Sequence, residues 1–301
     1  MEFGLGLPIG APERLLDWAR AAEACGFDTL ALLDRLAFDN PEPLTALAVL
    51  AGATSRIRLQ TEVLLGPLRQ TALLAKQVAT LDRMSGGRFV LGIGIGGRED
   101  DHAAAGTPMT GRGRALDDQL AALKQIWDGD VIGPRPRLFA AQDTASASAS
   151  RSTRRAPAIL IGGFAPAALR RVARHADGFI CAAPASWAGG LIRTVREQWA
   201  EAGRPGAPRI VCQVNVAVGA PETVADARRA IAGYYAFTGR EGWGAPLTEP
   251  AQIAEAVADY AELGADEVVF YCYAADPAQV EALAQFPASR SAPVNWAGRP
   301  G

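Results

Sequence analysis

Histidine is nearly absent from this chain: 301 residues hold only two, His102 and His175. Cysteine is almost as scarce, with four (Cys25, Cys181, Cys212 and Cys272) that are scattered and form no C-x-x-C pair. These shortages speak against a zinc site and a disulfide framework, and the thiols read as reduced ones in a cytoplasm. No His/carboxylate spacing marks a metal site, and no Ser-His-Asp or Cys-His arrangement marks a hydrolase. No apolar run is long enough for a membrane span, and no basic, apolar leader opens the chain, so a cytoplasmic protein is expected. Thirty basic and 32 acidic residues leave a net charge of −2, with no electrostatic footprint for nucleic acid. Arginine far outnumbers lysine, which together with the alanine richness reads as a GC-rich genome rather than a binding surface.

What the chain does have is alternation. Short apolar runs and amphipathic helical stretches succeed one another, and 49% of the residues are hydrophobic. The runs predict strands over 3–7, 29–33, 57–65, 89–95, 158–161, 178–181, 210–218 and 267–271. Between and after them, helices are predicted over about 12–25, 43–54, 71–84, 113–127, 166–175, 188–202, 223–237 and 250–263. Several strands are continuously apolar, as strands buried on both faces are. Such a succession predicts an α/β fold, a single (β/α)8 TIM barrel over 1–301 rather than an open doubly wound sheet. Residues 140–155 (AAQDTASASASRSTRR) are small, polar and low in complexity. They are expected to form a mobile insertion between the fourth helix and the fifth strand, a lid being the other reading. Residues 288–301 are expected to be a flexible tail.

In such a barrel the working groups project from the C-terminal strand ends. There this sequence gathers Asp34-Arg35, Glu62, Gly94 to Gly97, Gly162-Gly163 and Tyr271-Cys272-Tyr273. Gly92, Gly94 and Gly97 fit G-x-G-x-x-G, with Asp117 about twenty residues further on, as a dinucleotide fingerprint asks. The context disagrees, because that fingerprint belongs to the first strand of its unit and opens directly into a helix. Here about three strand–helix pairs come first and Gly97 leads into a polar loop, Arg98 to Thr110.

The run Ala75-Lys76-Gln77-Val78-Ala79-Thr80-Leu81-Asp82-Arg83-Met84-Ser85-Gly86-Gly87-Arg88 and its following strand resemble the bacterial luciferase-like flavin-dependent oxidoreductases. Ile159 to Gly163, Ala173 to Ile180, Leu33 to Leu36 and Arg112 to Arg114 match further landmarks of that family, and the resemblance covers roughly 1–275. It implies a barrel holding FMN, or the deazaflavin coenzyme F-420, at its C-terminal mouth. It also implies a bulge in the third strand, often with a non-prolyl cis peptide, against which the cofactor ring lies. That bulge maps near Thr61, Glu62 and Val63, with Asp34 close by. The cofactor phosphate is then expected between Ile95, Gly96 and Gly97 after the fourth strand and Gly162, Gly163 and Phe164 after the fifth. A phosphate needs converging N–H donors, and a helix follows Gly163, so the chemistry agrees; tight βα turns are the plainer reading of these glycines.

Three residues stand as candidates for chemistry. Glu62 lies in an apolar strand where an unpaired carboxylate is costly, so it is either an acid, a base or a ring partner, or is paired with Arg35 or Arg58. Relatives carry a small residue there, which makes Glu62 a departure. Arg35 stands where many deazaflavin-dependent dehydrogenases of the family carry the histidine of an Asp-His pair, and Gly97 where they carry glutamate. Arginine is no base near neutral pH but grips carboxylates and oxyanions; its plainer reading is a pair with Asp34 or Asp39. His102 is either a general acid or base reaching the mouth or an exposed loop residue. His175 is expected to be structural, and Arg112 and Arg114 either contact phosphate or form a solvated helix start. Trp187, Tyr234, Tyr235, Phe237, Trp243 and Tyr271 are candidates for an aromatic pocket. The resemblance implies a monooxygenase using reduced FMN and O₂ on a small organic substrate, fed by a separate flavin reductase and working as a homodimer. A deazaflavin-dependent hydride-transfer enzyme and a non-catalytic flavin-binding protein are the alternatives.

Overall fold

Eight parallel strands close on themselves in the computed structural model, which describes residues 1–128 and 156–289. In chain order they are β1 (Glu2–Gly6), β2 (Thr29–Leu32), β3 (Arg58–Thr61, resuming at Leu64–Leu65), β4 (Phe89–Gly94), β5 (Ala158–Gly162), β6 (Gly178–Cys181), β7 (Arg209–Val216) and β8 (Glu267–Cys272). Each pairs with its neighbours in sequence, β1 pairs with β8, and the pairing of Leu59 with Phe89 joins β3 to β4. The helices are α1 (Leu15–Ala24), α2 (Pro43–Ala53), α3 (Thr71–Met84), α4 (Glu99–Ala104), α5 (Arg112–Trp127), α6 (Pro166–His175), α7 (Ala185–Glu201), α8 (Pro221–Tyr235), α9 (Pro250–Glu262), α10 (Ala278–Leu283) and α11 (Gln285–Ala288). Proline opens α2, α6, α8 and α9, at the position where its missing N–H leaves no hydrogen bond unmade. The barrel is the predicted fold. Among the described residues no helix is long and apolar enough to cross a membrane.

Three local expectations change. The third strand is not continuous over 57–65 but breaks at Glu62 and Val63, whose peptide bond is cis. The loop from Arg98 to Thr110 contains α4, and α10 and α11 follow the last strand. The insertion expected over 140–155 lies outside the described residues, as does most of the tail expected over 288–301. Of that tail, Ala288 closes α11 and Ser289 caps it.

Alternation along each strand produces two cores. Leu30, Leu59, Leu91, Ile159, Phe179, Ile210 and Phe270 pack outward against helix residues such as Trp18, Leu47, Val78, Leu120 and Val172. Ala31, Val90, Leu160, Ile180, Val211 and Val269 fill the interior, where Ala227 and Ile231 of α8 join them. With side chains buried on both faces, the strands read as apolar runs rather than alternating ones.

Glycines on the inner face set the shape of the mouth. A Cβ at Gly92 would lie 1.9 Å from the Thr61 carbonyl oxygen, and Cβ atoms at Gly94 and Gly162 would lie 2.9 and 2.8 Å from methyls of Val63. The bulge of β3 therefore occupies space that β4 and β5 leave empty. The Thr61 hydroxyl donates to the Gly92 carbonyl at 2.7 Å and fixes the register.

The opposite end of the barrel is closed by charge. Arg58 donates to both carboxylate oxygens of Glu2 at 3.1 and 2.7 Å, and to Thr29 at 3.1 Å. Arg209 bonds Glu2 and reaches Glu267 at 2.7 Å. Burial pushes the Glu267 carboxyl up, but Arg58 and Arg209 outweigh it and hold the group below its usual range.

Two consequences are measurable by urea denaturation. Arg209→Met strands buried carboxylates and is expected to cost about 3–5 kcal/mol at neutral pH. A carboxyl lowered on folding stabilises above its unfolded pKa and loses that contribution as pH falls through the folded value. The difference between wild type and Arg209→Met should therefore shrink toward acid; a constant difference would mean that charge is not its origin. Gly92→Ala drives a methyl into the Thr61 carbonyl and is expected to cost at least the ~1–3 kcal/mol typical of overpacking; an unchanged midpoint would show that the bulge is not pinned there.

Candidate active site

At the C-terminal mouth, three strand ends converge on the Val63 ridge. Asp34, at the end of β2, accepts hydrogen bonds from the Leu65 amide at 2.9 Å and from Arg69 at 2.8 Å. It thus ties β2 to the second part of β3. Burial raises its pKa against the opposing pull of Arg69. Asp34 supports the bulge from behind. Thr61, Glu62 and Val63 form the bulge itself.

The loop after β4 is held by two side chains that reach its carbonyls. His102 places Nε2 3.2 Å from the Ile95 oxygen and Nδ1 2.9 Å from the Thr107 hydroxyl. Arg112 donates through Nε to the Gly96 carbonyl at 3.0 Å. Because C=O and N–H point oppositely across a trans peptide, the Gly96 and Gly97 amides are turned away from these anchors. Gly96 itself needs its glycine, since φ is +72° and a Cβ would meet His102 at 3.0 Å. His102 is 1% exposed, so it is not the exposed loop histidine that its polar surroundings suggest. With both ring nitrogens engaged, it positions the loop.

After β5, Gly163 turns the chain with φ +138° and a Cβ there would lie 2.9 Å from that of Ala168. Phe164 packs against Trp187 with the rings tilted and their centroids 4.7 Å apart. The ten-residue α6 begins at Pro166, and no side chain caps its N-terminus. The Ala168 and Leu169 amides already donate to the Ala165 carbonyl, so what suits an anion is the positive end of the helix dipole. Beside the bulge, this fits a flat ring with an anionic tail: glycines clear the floor and an uncapped helix faces the tail. Asp117, the acidic residue of the apparent dinucleotide pattern, lies in α5 and pairs with Arg171 at 2.6 Å.

Across the mouth the charged groups pair differently from the expectation. Arg35, 7% exposed, takes neither Asp34 nor Asp39 but Asp101 at 2.6 Å and Asp100 at 2.8 Å. Asp101 also accepts the Leu36 and Ala37 amides at 2.8 Å each, so α4 is sewn onto the loop after β2. Arg98 rests on Tyr234 and Phe237 at 4.3 and 3.8 Å from the ring centroids and donates to the Tyr234 carbonyl at 2.7 Å. Tyr234 in turn touches Phe38, Tyr235 and Tyr273. Of the aromatic candidates, Tyr234, Tyr235, Phe237 and Tyr271 gather here, Trp187 sits at the turn after β5, and Trp243 packs under Arg240. Asp100, Asp101 and Arg98 escaped the sequence reading. Glu99, Asp100 and Asp101 in succession are a helix-start signal within what was expected to be a polar loop, but nothing local names Arg35 as their partner.

Glu62 is 6% exposed and forms neither expected ion pair: Arg35 and Arg58 are committed elsewhere. Its Oε2 accepts from Gln60 at 2.9 Å and its Oε1 has no partner. Burial, reinforced by the Glu267 charge and only partly offset by Gln60, pushes the carboxyl up to about 8. The hydroxyls of Tyr271 and Tyr273 are likewise buried without a partner. A separate groove of about 580 Å³, lined by Val218, Pro221, Arg228, Glu249, Ile253 and Leu283 among others, shares no residue with this site.

Comparison with known proteins gives this geometry a lineage. A curated F-420-dependent glucose-6-phosphate dehydrogenase of Nakamurella multipartita is 31% identical over 205 residues, 64% of this chain and 60% of that protein. An uncharacterised protein of Mycobacterium tuberculosis is 32% identical over 184 residues, 54% of this chain and 62% of the relative. These matches span about three-fifths of the relatives' length. Among solved structures, a monooxygenase from Streptomyces bottropensis superposes with a TM-score of 0.76 at 21% identity, covering 95% of this chain and 98% of its own. An F-420-dependent secondary alcohol dehydrogenase gives 0.76 at 16% identity, covering 97% and 100%. At such identities the likeness is one of fold. The family model described as luciferase-like monooxygenase matches residues 1–250, and this chain belongs to that family.

Proposed function

We propose that the chain is a flavin-dependent oxidoreductase, specifically a monooxygenase that uses reduced FMN and O₂ on a small organic substrate. The observation that carries this reading is the Val63 ridge, seated over Gly94 and Gly162 beside the uncapped start of α6. Thr61, Glu62 and Val63 back the ring, while Ile95, Gly96, Gly97, Gly162, Gly163 and Phe164 hold the phosphate. Reduced FMN, when bound, supplies the electrons that activate O₂. The protein's part is to place the substrate and keep bulk water out, which α8 and the aromatic cluster around Tyr234 do by lying over the mouth. A separate reductase delivers the reduced flavin, and the enzyme acts as a homodimer in an aqueous compartment.

Arg35 favours FMN over coenzyme F-420. Locked between Asp100 and Asp101, a guanidinium cannot take the proton that hydride abstraction from an alcohol releases. The second reading, F-420-dependent hydride transfer, draws on the Nakamurella multipartita relative and on Glu62, whose carboxyl near 8 can exchange a proton at neutral pH.

Anaerobic titration tests the assignment, with tryptophan fluorescence as reporter because Trp187 packs against Phe164 at the phosphate turn. Reduced FMN should bind at least about tenfold more tightly than reduced F-420, a difference of ~1.4 kcal/mol. Tighter binding of F-420 would reject the monooxygenase reading. Gly163→Ala should weaken FMN about tenfold while leaving riboflavin, which lacks the phosphate, little changed. Equal losses for both would remove the phosphate from that turn.

A further inference from the structure

Two buried side-chain oxygens at the mouth have no hydrogen-bond partner. Glu62 Oε1 lies at the end of β3 and the Tyr271 hydroxyl at the end of β8. β1 and β2 stand between those strands, and β1 makes room: a Cβ at Gly6 would fall 2.2 Å from the Tyr271 ring. The ring therefore lies across β1, with its hydroxyl in the field of Glu62 and close to the Leu33 amide, and 0% of the residue is exposed. Tyr273 extends the wall, its ring centroid 5.7 Å from that of Tyr271.

The state of Glu62 follows from its surroundings. Gln60 on its own strand is its hydrogen-bond partner, and the titratable groups whose charge is felt between them and Glu62 are Glu267 and Tyr271 on β8 and Cys212 on β7. None is a cation, and among the described residues no ion pair reaches it. A buried carboxylate with one hydrogen bond and no counter-ion sheds its charge by taking up a proton. As a neutral acid it gains an O–H donor, and the Tyr271 phenol is a second; among the described residues neither oxygen is hydrogen-bonded. Buried donors without acceptors are costly unless a ligand supplies them.

We propose that Glu62 and Tyr271 form a two-donor seat for an acceptor oxygen of the substrate, and that the substrate presents there a neutral carbonyl. The seat selects against an isosteric hydrocarbon, which would leave both donors unpaired. It also selects against a carboxylate, which carries a charge into a site that has just expelled one. This assignment rests on the oxidoreductase reading for the word substrate, but the seat itself is a property of the protein without cofactor.

The test uses acetophenone and α-methylstyrene, which share a shape and differ in the acceptor oxygen, with binding to the purified protein followed by ligand-observed NMR. The ketone should be preferred at least about tenfold, the scale on which sites with buried polar groups reject analogues lacking the matching atom or more. Sign matters for pH: Glu62 donates only while protonated, so the preference should hold at pH 6 and fall as pH rises through about 8. Glu62→Gln keeps a donor and removes the titration, so it should retain the preference with a flat pH profile. Glu62→Ala and Tyr271→Phe should each reduce it. Infrared difference spectra of wild type against Glu62→Gln should show a protonated carboxyl band at pH 6 that is lost at high pH. Equal binding of the two probes, a preference surviving in Glu62→Ala, or no such band would overturn the proposal. A parallel titration with reduced FMN separates the outcomes: failure there with an intact ketone preference rejects the cofactor reading and not the seat.

Discussion

Everything at the mouth depends on space withheld by β4 and β5. With side chains at Gly92, Gly94 and Gly162, the third strand would be forced to run straight, and Val63 could not rise between its neighbours. The glycines weaken two strands in isolation, since they contribute no packing and lose the most backbone entropy. That loss is offset by Val63, which fills the vacated volume, and by the hydroxyl bond from Thr61 to the Gly92 carbonyl. The ridge is thus a packing feature first. The proposed role as a backing surface for a flat ring builds on that packing.

Two glutamates show how the same barrel treats charge at its two ends. Glu267 and Glu62 are both deeply buried, and burial alone would drive both toward the neutral form. Arg58 and Arg209 reach Glu267 and reverse the outcome; among the described residues no cation pairs with Glu62, and the outcome stands. The N-terminal end is therefore an ion-paired plug, with Glu267 held through Oε2 while its Oε1 has no hydrogen-bond partner, and it specifies how the strands close. The C-terminal end keeps unsatisfied oxygens, which a protein without a ligand for them would have little reason to retain.

Much of the fold was legible because it is written locally. Proline at helix starts, glycine at helix ends and apolar runs between them place α3, α6 and β6 to the residue, over 71–84, 166–175 and 178–181. The break in β3 had no local signature beyond Glu62 itself, and only likeness to a family pointed to it. Pairings were the least visible. Arg35 and Asp101 lie 66 residues apart, and nothing near Arg35 favours Asp101 over Asp34. His102 looked exposed because its neighbours are polar; in the structure those neighbours form α4, which folds it under Gly96. Glu62 was legible as an anomaly but not as a neutral acid, because the absence of a partner is a property of the whole barrel.

The replacement of a titratable group by Arg35 also bears on how substrate is admitted. A histidine at the end of β2 would be free to exchange protons; a guanidinium gripped by Asp100 and Asp101 is a fixture, with Phe38 and Tyr234 packed on its face at 5.2 and 5.9 Å. Through Asp101 the same pair ties α4 to the loop after β2, and through Arg98 the loop after β4 clasps α8. Chemistry at that strand end has been exchanged for architecture. Proton traffic, if the reaction requires it, then falls to the other side of the mouth, where Glu62 is the one buried carboxyl among the described residues whose pKa is pushed close to neutrality. The division places an aromatic cluster on one half of the mouth and, on the other, a buried carboxyl that burial drives toward its neutral form. An apolar substrate with a single polar oxygen is the shape of ligand that such a pair of surfaces can hold in one orientation.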